Sequence, residues 1–139
     1  MTPIKKAYGY VTRNIEETTQ VLVFQHSNPE AGIQIPKGTV KPNEDTYNAV
    51  RREIEEETGL SNFDVVDLIA EDFWEYDDGI IHNRFFYKIT VLNAPDKWDY
   101  QPTGGGDEEG LTFHFFWISS IDEVELVRGH GDYLKLVID

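Results

Sequence analysis

Two stretches, Arg84 to Leu92 (RFFYKITVL) and Leu111 to Ile118 (LTFHFFWI), are rich in β-branched and aromatic residues and apolar on both alternating faces. A strand wet on neither side lies between two covering layers, which commits the chain to a layered sheet. Further strands are expected at Lys6 to Thr12, Gln20 to Gln25, Ile33 to Ile35 and Val65 to Glu71, with the polar run Arg13 to Thr19 connecting the first two. Ser27 to Ala31 reads as a loop, and so does Lys37 to Asn43, broken by Gly38 and Pro42.

One long helix should follow. Asp45 or Thr46 can cap it, Tyr47, Val50 and Ile54 fall on one stripe, and Gly59 stands where a left-handed C-terminal cap belongs. Short helices are expected at Ser120 to Val124 and Asp132 to Val137. The result is an α/β chain, a mixed sheet covered by a few helices. No repeat, low-complexity tract or long linker divides it, so residues 1–139 read as a single domain. At this length roughly two-thirds of the unfolded surface is buried, so the core needs none of the disulfides or structural zinc that the absence of cysteine denies it.

Twelve Lys and Arg against 26 Asp and Glu give a net charge of −14. Phosphates would be repelled over most of such a surface, so no nucleic-acid partner is expected, and a phosphate substrate would need a cation to mediate. No apolar run approaches the roughly 18 to 20 residues of a membrane span, and the first residues carry no secretory stretch. A soluble, cytoplasmic protein with no membrane partner is the expectation.

Chemistry concentrates in Gly38 to Leu60, GTVKPNEDTYNAVRREIEEETGL. At about 100° per residue, Glu53, Glu56 and Glu57 share one arc beside the apolar stripe, while Glu55 points elsewhere. Carboxylates so grouped repel one another and give an isolated helix nothing. A hard divalent cation reverses the sign, because Mg²⁺ prefers carboxylate and water oxygens and leaves positions for phosphate. Arg52 can pair with Glu56 or hold Glu44, fixing the carboxylates in place. Gly38 can take a backbone conformation closed to other residues, which would let the preceding loop bring main-chain carbonyls to the metal. An acidic run alone is ordinarily a solvated face; the full spacing is what distinguishes this one.

Gly38, Glu44, Arg52, Glu53, Ile54, Glu56, Glu57, Gly59 and Leu60 fill every specified position of the Nudix box. From average residue usage, a chance match is on the order of 10⁻⁹ to 10⁻¹⁰ per window. The chain therefore resembles the Nudix hydrolases, which implies that family's α/β/α sandwich with a mixed sheet. It also implies hydrolysis of the diphosphate bond in a nucleoside diphosphate linked to another group, with Mg²⁺ or Mn²⁺. By the same resemblance Glu53, Glu56 and Glu57 would be metal ligands with the carbonyl of Lys37 or Gly38, and Glu44 and Arg52 the supporting pair. The general base would be Glu53 or Glu56, or a loop carboxylate; Glu53 is the choice. Glu109, in the loop GGGDEEG, would supply a further metal ligand.

For a nucleotide substrate, Trp74, Tyr76 and Trp98 are the aromatic residues flanked by acids and so expected at the surface. Lys37 and Lys41 flank the box loop and, with Arg84 and His82, are candidates for phosphate; Lys5 and Lys6 are weaker ones. The four histidines lack zinc-ligand spacing. Within the family a tyrosine placed like Tyr76, 16 residues past the box, goes with dinucleoside polyphosphate hydrolysis. The alternatives are a (deoxy)nucleoside triphosphate or ADP-ribose pyrophosphohydrolase and, from another class, a non-catalytic module that senses nucleotides.

Overall fold

The computed structural model of the chain describes residues 2–104 and 110–139. Its centre is an eight-stranded mixed sheet in which β1 (Ile4–Ile15) and β6 (Ile81–Val91) run parallel. The remaining pairs, involving β2 (Thr18–His26), β3 (Ile33–Gln34), β4 (Lys37–Thr39), β5 (Phe63–Glu75), β7 (Trp98–Tyr100) and β8 (Phe113–Ile118), are antiparallel. The order β5-β6-β1-β2-β8-β7 is interrupted once: β1 pairs with β2 through Thr12 to Ile15 but with β4 through Lys6 to Tyr8. The sheet thus splays open between β1 and β2, and β3 and β4 line the opening.

Two-residue alternation assigns the faces. Ala7, Val11, Leu22, Phe24, Phe85 and Ile89 pack under α1 (Thr46–Thr58), whereas Tyr8, Tyr10, Val21, Val23 and Phe86 face Leu134 and Ile138 of the C-terminal segment. Asp45 caps α1 by accepting from the Asn48 N–H at 2.7 Å, and Gly59 closes it at φ 78°. Val50 and Ile54 are fully buried, each contributing about 1.5–3 kcal/mol.

Several sequence expectations are corrected. Tyr47 is 47% exposed, because the stripe that enters the core runs through Ala49, Val50, Glu53, Ile54, Glu57 and Thr58. The first connection is only Glu16 and Glu17, both at positive φ, so the two strands zip together through residues expected in a loop. Lys37 to Thr39 is a strand because β1 offers it a free edge, and β7 forms against β8 for the same reason. The two short helices are turns and a 3-10 helix at Leu134–Leu136. There the Glu123 carboxylate accepts from Ser119 N–H, and Gly129 takes positive φ, both serving turns rather than helix.

Candidate active site

Strand β4, the loop after it and α1 fold back on one another, so the chemistry of residues 37–57 is assembled by nearest neighbours in the chain. Arg52 is the hub. Its Nε and Nη2 donate to the two oxygens of Glu44 at 2.9 and 2.8 Å, its Nη2 also donates to the Thr39 carbonyl, and its Nη1 reaches Glu53 at 2.6 Å and Glu56 at 3.4 Å. Fork-to-fork geometry of this kind fixes direction as well as charge. The hydrogen bonds from Arg52, helped by the Lys41 N–H, hold Glu44 down to about 2, and the same pairing raises Arg52 well above its ordinary value. Glu44 and Arg52 are therefore a permanent ion pair at neutral pH.

Glu57 is 2% exposed, and its Oε1 accepts from the Lys37 N–H at 2.9 Å, tying the helix to β4. Gly38 is needed for space, not for an unusual φ as the sequence suggested. A Cβ there would lie 1.9 Å from the Glu53 carboxyl carbon, so only glycine lets the strand lie across that side chain. Gly104 does the same for Glu56, where a Cβ would lie 2.5 Å from Oε2. Glu55 is exposed on the far side, as the helical period requires.

Above this face opens a cleft of about 720 Å³, where Glu53, Glu56 and Arg52 meet Lys37 and Lys41. A second cavity, of about 450 Å³, contains Trp74, Tyr76 and His82. Lys6, Gln34 and Lys37 line both, so the two spaces share one wall. Trp74 stands opposite His82 in the β5–β6 register, and the turn at Tyr76 to Ile80 folds Tyr76 onto the His82 ring, with centroids 5.2 Å apart and planes 25° apart.

The NUDIX domain model matches residues 5–137. The chain belongs to the Nudix family. No curated protein sequence matches it at a significant level. Among solved structures, the fold is similar to a Caenorhabditis elegans Ap4A hydrolase, with 22% identity, a TM-score of 0.65 and coverage of 97% of this chain and 91% of that one. It is also similar to a Burkholderia pseudomallei MutT NUDIX hydrolase, with 20% identity, a TM-score of 0.68 and 99% of both chains covered. A UDP-X diphosphatase gives 14% identity and a TM-score of 0.70, covering 99% of this chain and 62% of that one. As a Nudix hydrolase the chain acts on pyrophosphate bonds, and Nudix homologues take small-molecule nucleotides. Among the described residues no helix is long and apolar enough to cross a membrane.

In this Nudix hydrolase the box residues and the aromatic pair occupy adjoining spaces, but Arg84 belongs to neither. It is 1% exposed, it donates to both oxygens of Asp72 at 2.8 and 2.6 Å and to Asp132 at 2.9 Å, and its guanidinium lies 4.9 Å from the Trp74 ring centroid. The expectation of a phosphate contact fails because Asp72, its cross-strand partner, claims it first. Burial would raise Asp72, but the bonds from Arg84 and Tyr133 outweigh it and keep the carboxylate charged. Trp98 is likewise taken: its indole N–H donates to the Thr58 carbonyl at 3.0 Å and its ring stacks on Phe115. Lys5 is exposed and lines neither space. Glu109 lies outside the described residues. Lys6, ranked below the box lysines from sequence, sits on the shared wall, and Gln34, His26 and His130 were not singled out. Only long-range strand pairing brings them there, and nothing in their local sequence announces it.

Proposed function

We propose that this Nudix hydrolase cleaves the diphosphate linkage of a nucleotide whose phosphate chain crosses the Lys6–Lys37 wall, with dinucleoside polyphosphates the favoured class. The observation that carries the reading is the shared wall. A cleft of paired carboxylates and cations adjoins an aromatic cavity through two lysines, which suits a ligand that is charged along its middle and flat at one end. Similarity of fold to an Ap4A hydrolase is consistent with that class.

Nudix hydrolases generally need a divalent metal, and the donor set here fits a hard ion. Glu53 and Glu56 already converge on a single cationic centre, Arg52 Nη1, although among the described residues no three His, Asp or Glu side chains form a ready-made cluster. Mg²⁺ or Mn²⁺ would be held by Glu53 and Glu56, with the carbonyl of Lys37 or Gly38 and with Glu57, which anchors that loop. Bound there, the ion would neutralise diphosphate charge and polarise the phosphorus under attack. Glu44 and Arg52 orient the carboxylates. Glu56 is the better placed general base than Glu53, since its carboxylate is the more exposed of the two and its contact with Arg52 the longer. Lys37 and Lys41 hold phosphate oxygens, and Trp74, Tyr76 and His82 receive the far end. All 139 residues act as one domain in this reading, and the working environment is the cytoplasm.

The test is turnover of diadenosine tetraphosphate, ADP-ribose and nucleoside triphosphates side by side with Mg²⁺ and Mn²⁺, scored by the products released. The highest kcat/KM is expected for the dinucleoside polyphosphate. A clear preference for triphosphates transfers the assignment to a nucleotide-cleansing enzyme, and binding without any turnover makes the chain a nucleotide sensor.

A further inference from the structure

Ile35 and Pro36 carry the chain from one strand pairing to another. Ile33 and Gln34 pair with β2, Lys37 to Thr39 pair with β1, and Ile35 between them is fully buried and outside every ladder of the described residues. Pro36 has no N–H, so the backbone donors of this crossing are the amides of Ile35 and Lys37. Both end on side chains: Lys37 on Glu57 Oε1 at 2.9 Å, and Ile35 on His130 Nδ1 at 3.1 Å. Glu57 reaches in from α1 on one face of the sheet, and His130 from the C-terminal segment on the other.

His130 is itself held firmly. It is 1% exposed, its N–H donates to the Val127 carbonyl at 3.0 Å, its carbonyl accepts from the Tyr10 hydroxyl at 2.6 Å, and its ring meets Tyr8 edge-on with centroids 5.4 Å apart. The same turn is tied to the crossing a second time, by the Val127 N–H donating to the Ile33 carbonyl at 3.1 Å. An amide can only donate, so Nδ1 carries the lone pair and the proton of the neutral ring sits on Nε2. Burial, reinforced by Lys37, Arg128 and Arg84, pushes its pKa down to about 3 and keeps that lone pair available. The histidine stands where the carbonyl of a neighbouring strand would be, and without it the Ile35 N–H is an orphaned buried donor.

We propose that His130 is a positioning residue for hydrolysis, the counterpart of Glu57 on the opposite face: its Nδ1 holds the Ile35 amide and so fixes the path by which Lys37 and Gly38 cross the carboxylates of α1. The proposal rests on the reading that this loop and the box carboxylates act on a diphosphate. No Cβ fits between Gly38 and the Glu53 carboxyl, and the Lys37 N–H is the bond by which Glu57 meets the strand. Small displacements here therefore reach both carboxylates. A crossing freed at Ile35 swings toward the second cavity, which Gln34, Lys37 and His130 line and where the amide can find water. Lys37 and Gly38 are drawn along with it. The Lys37 ammonium rides on a flexible four-carbon stem and can follow the phosphate, so the loss falls on kcat rather than on KM.

The experiment compares, in the full chain, His130→Phe, which keeps a ring but has no acceptor, with His130→Asn, whose Oδ1 stands near the place of Nδ1. Hydrolysis of diadenosine tetraphosphate with Mg²⁺ is followed well below the Tm of each variant, and backbone amide ¹H–¹⁵N spectra are recorded without substrate or metal. His130→Phe should lower kcat about tenfold or more with KM within about threefold of wild type, and should move the Lys37 and Gly38 amide signals. His130→Asn should recover most of kcat and return those signals. A merely structural brace would lower Tm in both variants and leave the kcat of folded molecules alone. Wild-type kcat in His130→Phe therefore overturns the proposal, as does an Asn variant no better than Phe. Should His130→Phe not fold, His130→Asn decides: near-wild-type kcat with the Ile35 amide signal in place supports the proposal, and a tenfold loss overturns it. If wild type hydrolyses no nucleotide, the hydrolase reading is removed, and the Lys37 and Gly38 signals alone decide whether His130 sets the path of the loop.

Discussion

The cleft and the cavity beside it are built in opposite ways. The cleft's acidic side comes from one contiguous run, Lys37 to Glu57, in which helical period places Glu53, Glu56 and Glu57 and the loop between strand and helix supplies Glu44. The cavity draws on β1, residues 34–37, the hairpin at 74–82 and the turn at 128–130, which meet only because the sheet pairs β1 with β6 and the C-terminal segment crosses its face. A motif held by local geometry survives wide sequence change around it, whereas a pocket held by topology can be remodelled piece by piece. This is the expected division between shared chemistry and variable specificity.

The sharpest way to break the comparison is Glu57→Gln, which removes a charge from the local unit while leaving the cavity alone. It should lower kcat by a hundredfold or more, in line with loss of a metal-centred electrostatic contribution, with adenosine affinity unchanged; steady-state kinetics with Mg²⁺ checks it, and wild-type turnover would remove Glu57 from the site. Gly38→Ala comes next. Its Cβ must displace the Glu53 carboxyl, and an error of about 1 Å in the site costs on the order of a hundredfold in rate, measured as kcat, while the fold survives by circular dichroism.

How much was legible follows the same division. The spacing that put Glu53, Glu56 and Glu57 on one arc was readable because a helix converts sequence separation directly into angle, whereas the pairing of Glu44 with Arg52 came from the resemblance to the Nudix box. The apolar alternation of Arg84 to Leu92 and Leu111 to Ile118 likewise marked two central strands, β6 and β8. Tyr47 was misplaced because the apolar stripe drifts around the helix and polar Glu53 and Glu57 displace it from the buried side. Arg84 could not be read at all. Its fate depends on Asp72 twelve positions earlier and Asp132 far downstream, pairings that only the β5–β6 register and the C-terminal crossing create.

Two smaller effects sharpen the contrast from the cavity side. Arg84→Met leaves the part-buried Asp72 and the half-exposed Asp132 without their cation and should cost about 1–3 kcal/mol, the penalty for a hydrogen-bonded charge that loses its partner while still reached by water, read by urea unfolding; a change below about 0.5 kcal/mol would show that the network is ornamental. Acidification should then separate the regions. His130 is lowered from 6.5 to about 3, so the unfolded chain binds its proton first, and stability present above pH 6.5 drains away as the pH falls toward 3. Glu44, lowered from 4.5 to about 2, contributes stability above pH 4.5 that is lost only as the pH falls toward 2. Thermal unfolding should therefore soften between pH 6.5 and 4.5 through the cavity side before the cleft's ion pair weakens. A flat Tm across that window contradicts the buried, neutral His130.

The guanidinium of Arg52 touches three carboxylates at once, so the most repulsive patch of a strongly acidic chain carries its own counter-ion. That face can then close on itself during folding with its like charges already neutralised, so its order waits on no partner from solution.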